Sequence, residues 1–593
     1  MSDSWNLGHA GATNVSTTTM PSGPRSTTTL PPGPESSVRF SASGCACIGM
    51  APSCARNAAR GSCWPAAAYA SRRGSSPSTS TPAPTADIIR NHSRRVLLVT
   101  VPLTVHLRSR VPVQYVPGGV EGKARAVDSP GLLSHPSATL RSMSTQAARL
   151  SKSRFTSGLQ CHKKLWWEVH EPDALELQPD KVLQDLFDQG RQVGEAARAR
   201  YPGGVLIDLP HHARAERVAA THEALDAGAP AVFEATFIAD DTFVAIDVLE
   251  KQNDGYRLTE VKSSSSLKDE HIPDVAIQAR VAAACGVKIT AAAVLHLNKD
   301  FRNPDTGDLF ARADVTAPVA AFLPQVPEEV ARQREMLAGP VPDVPLARGI
   351  TSIAELPTRE KLNFTQQRQL KAMAENRIIV EPTLARQLEP FTGRLGFLDF
   401  ETIARAIPVW PGMAPWQQAA AQFSYHERQP DGNYTHAAFL AEGPRDARPP
   451  LAAAMVRATA NAERVVMYTP FEKTRIRELQ QAVPELATEL AALEAKLIDL
   501  HPVVKNCVYH PAFRGSFSLK YILTPLVPEL TYDDLVIVDG RVASVEIARL
   551  LFVAEKIPRN ERDRVRQDLL NYCERDTWAM VKLVERLREL AAR

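Results

Sequence analysis

The 593-residue sequence has little cysteine (eight residues), few aromatics (6%) and a net charge of only +3. So few, scattered thiols exclude a disulfide-built secreted scaffold. The near-balance of charge excludes a generally basic nucleic-acid binder, so any such binding must come from a local basic cleft. The longest apolar run, around Val96 to Leu107, carries Pro102 and His106 and falls short of the about 20 residues that span a bilayer. Asp3 and Asn6 stand where a secretory signal would be basic and apolar, so a cytoplasmic protein is expected. There is no G-x-x-x-x-G-K-[ST] loop, which argues against an ATP-driven motor, and there are no internal repeats. What is present is ordinary globular material, 44% hydrophobic and 23% charged, at a length that suggests three or four domains.

The balance hides a split. Residues 1–142 hold 14 Lys and Arg against 5 Asp and Glu, whereas the remainder holds 55 against 61. The first segment also carries 15 of the 45 prolines and reads as disordered, because it cannot bury enough apolar surface to offset its ordering entropy. Either it is a disordered tail or it lies upstream of a true start at Met143, where patterned sequence begins; the second reading is preferred. Its cysteines, Cys45, Cys47, Cys54 and Cys63, lack paired C-x-x-C spacing and match no zinc module.

From Met143 onward the chain reads as α/β. Apolar spacing at Leu183, Leu186, Phe187, Val193 and Ala197 predicts a helix over 181–201, and a second covers 211–227. Strands follow at AVFEATFIA, DTFVAIDVLE and GYRLTEVKSS, then a helix over 273–285 and a strand over 289–297. Residues 313–390 form a helical connector. A second α/β unit, 391–593, opens with the strand RLGFLDFET and ends in a long helix.

Strand alternation puts Glu260 and Lys262 of TEVKS on one face. A hairpin brings Asp247 beside them at a sheet edge, Glu195 adds a carboxylate from the early helix, and Gln278 begins the following one. Carboxylates beside a lysine hold a divalent cation and orient an attacking water near a phosphodiester. The order helix-Glu, strand-Asp, E-x-K, helix-Gln within 84 positions resembles the RecB-like branch of the PD-(D/E)XK nuclease superfamily. The resemblance implies a restriction-endonuclease-like domain over 143–312, with Glu195, Asp247 and Glu260 as metal ligands and Lys262 and Gln278 as catalytic residues. Val281 and Ala282 stand where the family's tyrosine belongs. SRFTSGLQCHKKLWW resembles the opening of relatives whose cysteine ligates an iron–sulfur cluster. Only Cys285, Cys507 and Cys573 follow Cys161, the last two in the second unit, so no cluster is expected and Cys161 reads as a small buried residue.

In GFLDFET, Asp399 and Glu401 share a strand face among Phe397, Leu398 and Phe400, an arrangement that needs a matching cation. Tyr572 and Asp576 are four apart and share a helix face, and Glu472 follows a strand and turn. The order D-x-E, acid, Y-x3-D resembles the DEDDy exonucleases of the RNase H-like fold. That implies four metal-binding carboxylates (Asp399, Glu401, Glu472, Asp576) and a water-orienting Tyr572, although Glu472 stands in place of the family's aspartate. Trp416 and Gln418 are candidates for stacking on and reading bases, and Lys520 lies in an S-x-S-L-K segment like that of such enzymes. A packed aromatic with surface glutamines, and a capped amphipathic helix, are the alternatives. The stretch from GFLDFETIARAIPVWPG to YHPAFRGSFSLKYIL is similar to the bacterial family called domain of unknown function 2779. Together these resemblances imply a two-centre nuclease using Mg²⁺ or Mn²⁺, acting on nucleic acid, DNA more than RNA, with a 3′→5′ exonuclease-like second centre and no membrane partner. The alternative is a nuclease-derived binding module without chemistry.

Overall fold

The computed structural model describes residues 150–304, 307–343 and 361–593. The segment 1–142 with its four cysteines, the start at Met143 and part of the connector, 344–360, lie outside the described residues. What is described is a mixed α/β structure with two large mixed sheets.

The first part runs β1 (Leu150–Ser151), α1 (Lys152–Gln160), α2 (His162–His170), α3 (Lys181–Arg198), β2 (Val205–Leu206), α4 (Arg214–Asp226), β3 (Ala231–Ala239), β4 (Thr242–Gln252), β5 (Gly255–Lys262), α5 (His271–Ala284), β6 (Ile289–Leu297), β7 (Phe310–Asp314), α6 (Thr316–Phe322) and α7 (Val326–Ala338). Its sheet has the order β2-β3-β4-β5-β6-β7, with β1 beside the start of β4. Alternating Phe, Val and Ile build β3 and β4, which pair antiparallel. Gly255 closes the β4–β5 turn at φ 137°, where a Cβ would collide with the Lys288 carbonyl. Because α5 crosses over between β5 and β6, those two strands are parallel. Two thirds of α5 is buried, which places its polar Asp274 and Gln278 in the interior. Val319, Val326, Val330 and Leu337, assigned from sequence to the connector, pack in this first core.

The second part follows α8 (Phe364–Glu375), whose N-terminus is closed by a reciprocal Asn363–Gln366 capping box. It continues through β8 (Ile379–Val380), α9 (Leu384–Gln387), β9 (Leu395–Ala404), β10 (Gln418–Arg428), β11 (Tyr434–Leu440), α10 (Arg448–Ala458), β12 (Arg464–Met467), α11 (Phe471–Ala482), α12 (Ala487–Lys496), β13 (Leu497–Asp499), α13 (His501–Cys507), β14 (Val508–Tyr509), α14 (Leu519–Leu526), α15 (Gly540–Phe552) and α16 (Arg559–Ala591). The five-stranded sheet has the order β11-β10-β9-β12-β13; β10 and β11 pair antiparallel, while β12 and β13 run parallel to β9. β8 and β14 form a separate ribbon. Helix α16 runs unbroken for 33 residues because it contains neither Gly nor Pro. Its buried stripe, Val565, Leu569, Tyr572, Cys573, Asp576 and Met580, lies against the sheet.

Helix α3 joins the two parts. Val193 and Ala197 pack with Leu295 and Leu297 of β6, and with Ala406 and Trp416 from the loop after β9. Asp185 pairs with Arg405 at 2.8 Å, Gln189 accepts the Ala406 N–H at 2.6 Å, and Lys181 meets Glu546 of α15 at 2.6 Å. The apolar stripe predicted for α3 is therefore only half core: Leu183, Leu186 and Phe187 are exposed. Among the described residues, no helix is long and apolar enough to cross a membrane.

Two candidate metal centres

At the first cluster, β4 and β5 pair so that the Asp247 carboxylate accepts the Val261 N–H at 2.7 Å. Asp247 lies within β4 rather than at its end, and β5 is interior to the sheet, so the residues meet on a sheet face rather than at an edge. Glu260 is almost wholly buried. Its carboxylate accepts from Lys152 at 2.9 and 3.0 Å, from Lys262 at 2.8 Å and from Gln278 at 2.8 Å. Gln278 sits two turns into α5, not at its start, and Lys262 also pairs with Asp274 one turn earlier on that helix. Burial opposes the charge on Glu260, but the Lys152 and Lys262 ammoniums outweigh it and hold its carboxyl well below the usual range. Burial, reinforced by the nearby Glu260 charge, pushes Asp247 up to about 7.

Glu195 lines the same cleft of about 600 Å³ as Asp247, Glu260 and Lys262, but from an exposed position on α3. Glu195, Asp247 and Glu260 are not among the groups of three potential ligands whose atoms all lie within 4.8 Å of one another. The sequence reading missed Lys152, Asp274 and Glu234. Glu234 also lines the cleft, from a position in β3 with φ 56° at which the β3–β4 pairing is interrupted without a shift of register. An extended-strand pattern gives no sign of a residue with positive φ, and the lysine that opens α1 gives none of its partner 108 residues away. Cys161 is half-buried between α1 and α2 rather than buried, and the four described cysteines are all free.

At the second cluster the sequence-predicted acids do converge. Asp399, Glu401 and Asp576 offer oxygens that all lie within 4.8 Å of one another. β9 supplies the first two and α16 the third. Burial, then mutual repulsion, raises Asp399 and Glu401 well above the ordinary carboxylate range. Burial raises Asp576 too, against hydrogen bonds from Tyr532 and Tyr572. Glu472 stands apart from this trio but close enough for the Asp399 charge, after burial, to raise it as well. It is buried at the start of α11, and its Oε2 has no hydrogen-bond partner. The turn that delivers it is held by Asp499, which accepts the Thr469 N–H at 3.1 Å and the His501 N–H at 2.9 Å. Asp499 thus ends β13 and holds the turn, and its charge adds to those that raise Glu472.

Lys520 Nζ lies 4.8 Å from the centre of the Tyr572 ring, and its charge acts on all three clustered acids. Gly540, the first residue of α15, approaches Glu401; a Cβ there would stand 3.5 Å from Glu401 Oε2. The open cleft over these acids is also lined by Leu186, Trp416, Gln418 and Tyr572. Trp416 has φ 60° and donates its indole N–H to the Ser263 carbonyl at 2.5 Å, so its polar edge is engaged at the end of β5. Gln418 accepts from Arg475 at 2.7 Å.

Four buried or half-buried carboxylates, all raised chiefly by burial and one with an orphaned oxygen, form a donor set in which Lys520 is too little positive charge to balance the acids. An all-oxygen set of this kind suits a hard divalent cation such as Mg²⁺ or Mn²⁺.

Residues 396–518 match the model of the family described as Domain of unknown function (DUF2779). The match supports that family for this segment and spans Asp399, Glu401 and Glu472, but ends before Lys520, Tyr572 and Asp576. No curated protein matches the chain.

Proposed function

We propose that the protein is a metal-dependent nuclease that hydrolyses phosphodiester bonds of nucleic acid, DNA in preference to RNA. It has a DEDDy-like centre of the RNase H-like type in the second part and a RecB-like centre in the first. The observation that carries the reading is the convergence of Asp399, Glu401 and Asp576 within 4.8 Å on one sheet face. The orphaned Oε2 of Glu472 and the buried Tyr572 beside Asp576 give further support, as does a sheet in which one strand, β10, runs antiparallel and three run parallel to the D-x-E strand.

Asp399, Glu401, Asp576 and Glu472 would hold the ions. Bound divalent metal supplies charge neutralisation and a lowered pKa for the attacking water. Tyr572 presents its hydroxyl to that water and keeps its proton, because burial and the Asp576 charge raise its pKa. Lys520, over the Tyr572 ring, faces the departing phosphate charge. Leu186, from α3, and Trp416 form an apolar wall on which a terminal base can stack.

One observation favours a second reading for the first centre. Lys152 contacts both oxygens of Glu260 and lies 3.8 Å from Asp247, the place a divalent ion would take. On that reading the first centre grips the phosphate backbone without cutting it.

End-labelled single- and double-stranded DNA and RNA, incubated with Mg²⁺, Mn²⁺ or EDTA, test both readings. Metal-dependent trimming lost in Asp399→Asn and retained in Lys262→Ala is expected of the second centre. Binding without cleavage under every metal would overturn the nuclease reading in favour of a binding module.

A further inference from the structure

A second set of ligand-type side chains stands on the same sheet face, outside the acidic centre. His426 on β10 and His436 on β11 are register partners, and Glu574 comes from α16. One ligand atom from each lies within 4.8 Å of the other two. We propose that His426, His436 and Glu574 bind one divalent transition metal of the zinc class, independently of the phosphodiester chemistry proposed above.

The surroundings of the two rings carry the inference. His426 Nδ1 is paired with Thr577 Oγ1 at 2.8 Å, and His436 Nε2 with Ser424 Oγ at 3.0 Å. The two hydroxyls bond each other at 2.8 Å. Each imidazole is thus fixed through one nitrogen by a hydroxyl, as the outer-shell partners of metal-ligating histidines fix theirs. His436 Nδ1 faces Glu574 Oε1 at 3.8 Å, too far for a hydrogen bond. Zinc–ligand lengths of about 2.0–2.1 Å put two ligands of a tetrahedral ion roughly 3.3 Å apart, so a small closure of the Glu574 side chain seats the ion. His426 is buried behind Trp578, whereas Glu574 is exposed, which leaves an entry path from solvent.

Two imidazoles and one carboxylate select zinc, cobalt or nickel over magnesium. Three protein ligands leave a fourth position for water. The position also gives the site a role. Ser424 is the register partner of Asp399, and Thr577 follows Asp576. Metal here ties α16 to β10 and β11, and α16 carries Tyr572 and Asp576. The site would therefore position the acidic centre without touching its substrate.

The test is titration of the metal-stripped full chain with Co²⁺ in the presence of excess Mg²⁺, followed by d–d absorption and by metal content after desalting. One Co²⁺ per chain is expected, displaced by Zn²⁺, unchanged in Asp399→Asn and lost in His436→Ala. Glu574→Gln changes an exposed side chain and leaves the fold intact; it should weaken Co²⁺ by at least about tenfold. Absence of Co²⁺ binding by the folded wild type would overturn the proposal, as would full retention in both His436→Ala and Glu574→Gln. Loss in Asp399→Asn instead would assign the ion to the acidic centre and overturn it equally.

Discussion

Lys152 donates to both oxygens of Glu260, at 2.9 and 3.0 Å, across 108 residues of sequence. With Lys262 on the same carboxylate, two ammoniums neutralise the acid on which the first centre depends. A lysine ammonium and a divalent cation compete for this place. Lys152→Gln should therefore tighten Mn²⁺ at the first centre several-fold, measured by calorimetry in an Asp399→Asn background that silences the second. Weaker binding would mean that Lys152 assists the metal instead of standing in its place.

The raised pKa of Asp247 has a definite sign. Its folded value, pushed up to about 7, lies above the ordinary carboxylate value of 3.8. Its contribution to stability is therefore fully present below about pH 4 and lost as pH rises through about 7. Histidines titrate in the same interval, so the informative quantity is a difference. In EDTA, the stability of Asp247→Asn relative to wild type should increase between pH 4 and 7 and level off above. A flat difference across that range would show that Asp247 is not held protonated by its surroundings.

The acids of the second centre are raised by burial further than Lys520 offsets, so their charged forms cost stability unless metal balances them. Without metal, Asp399→Asn and Glu401→Gln should each raise stability at pH 7.5 by about 1 kcal/mol or more, because one pKa unit corresponds to 1.36 kcal/mol. Both should lose most of the stabilisation that Mn²⁺ gives the wild type. Paired thermal melts with Mn²⁺ and with EDTA check this; destabilisation of both variants in EDTA would show that the carboxylates act as structural acceptors.

Much of this was legible in the sequence because the periodic signals are local. AVFEATFIA and ITAAAVLHL are strands over the lengths predicted, and D-x-E and Y-x3-D did meet. Long-range partners were not legible. Nothing near Lys152 names Glu260, and nothing near Tyr532 announces its hydrogen bond to Asp576. The α3 stripe misled for a related reason. Leu183, Leu186 and Phe187 have core spacing, but Leu186 lines the acid-lined cleft instead. Periodicity reports that a face is apolar, not whether it is covered. Strand β10 gives no periodic signal because QAAAQFSYHE is buried on both faces and shows no alternation.

Trp416 separates two roles that the sequence left open. Its indole N–H reaches the Ser263 carbonyl, and Ser263 follows Lys262 directly. Trp416→Phe keeps an aromatic face toward the cleft and removes that hydrogen bond together with part of the ring. A loss of about 1 kcal/mol in stability is expected, together with weaker Mn²⁺ binding at the first centre, since the end of β5 is freed. A residue that served only to stack on substrate would behave otherwise. Trp416→Phe would then leave metal affinity and stability unchanged, and only Trp416→Ala would weaken single-stranded DNA binding. Measuring Mn²⁺ affinity and single-strand affinity on both variants distinguishes a strut between the two centres from a base platform.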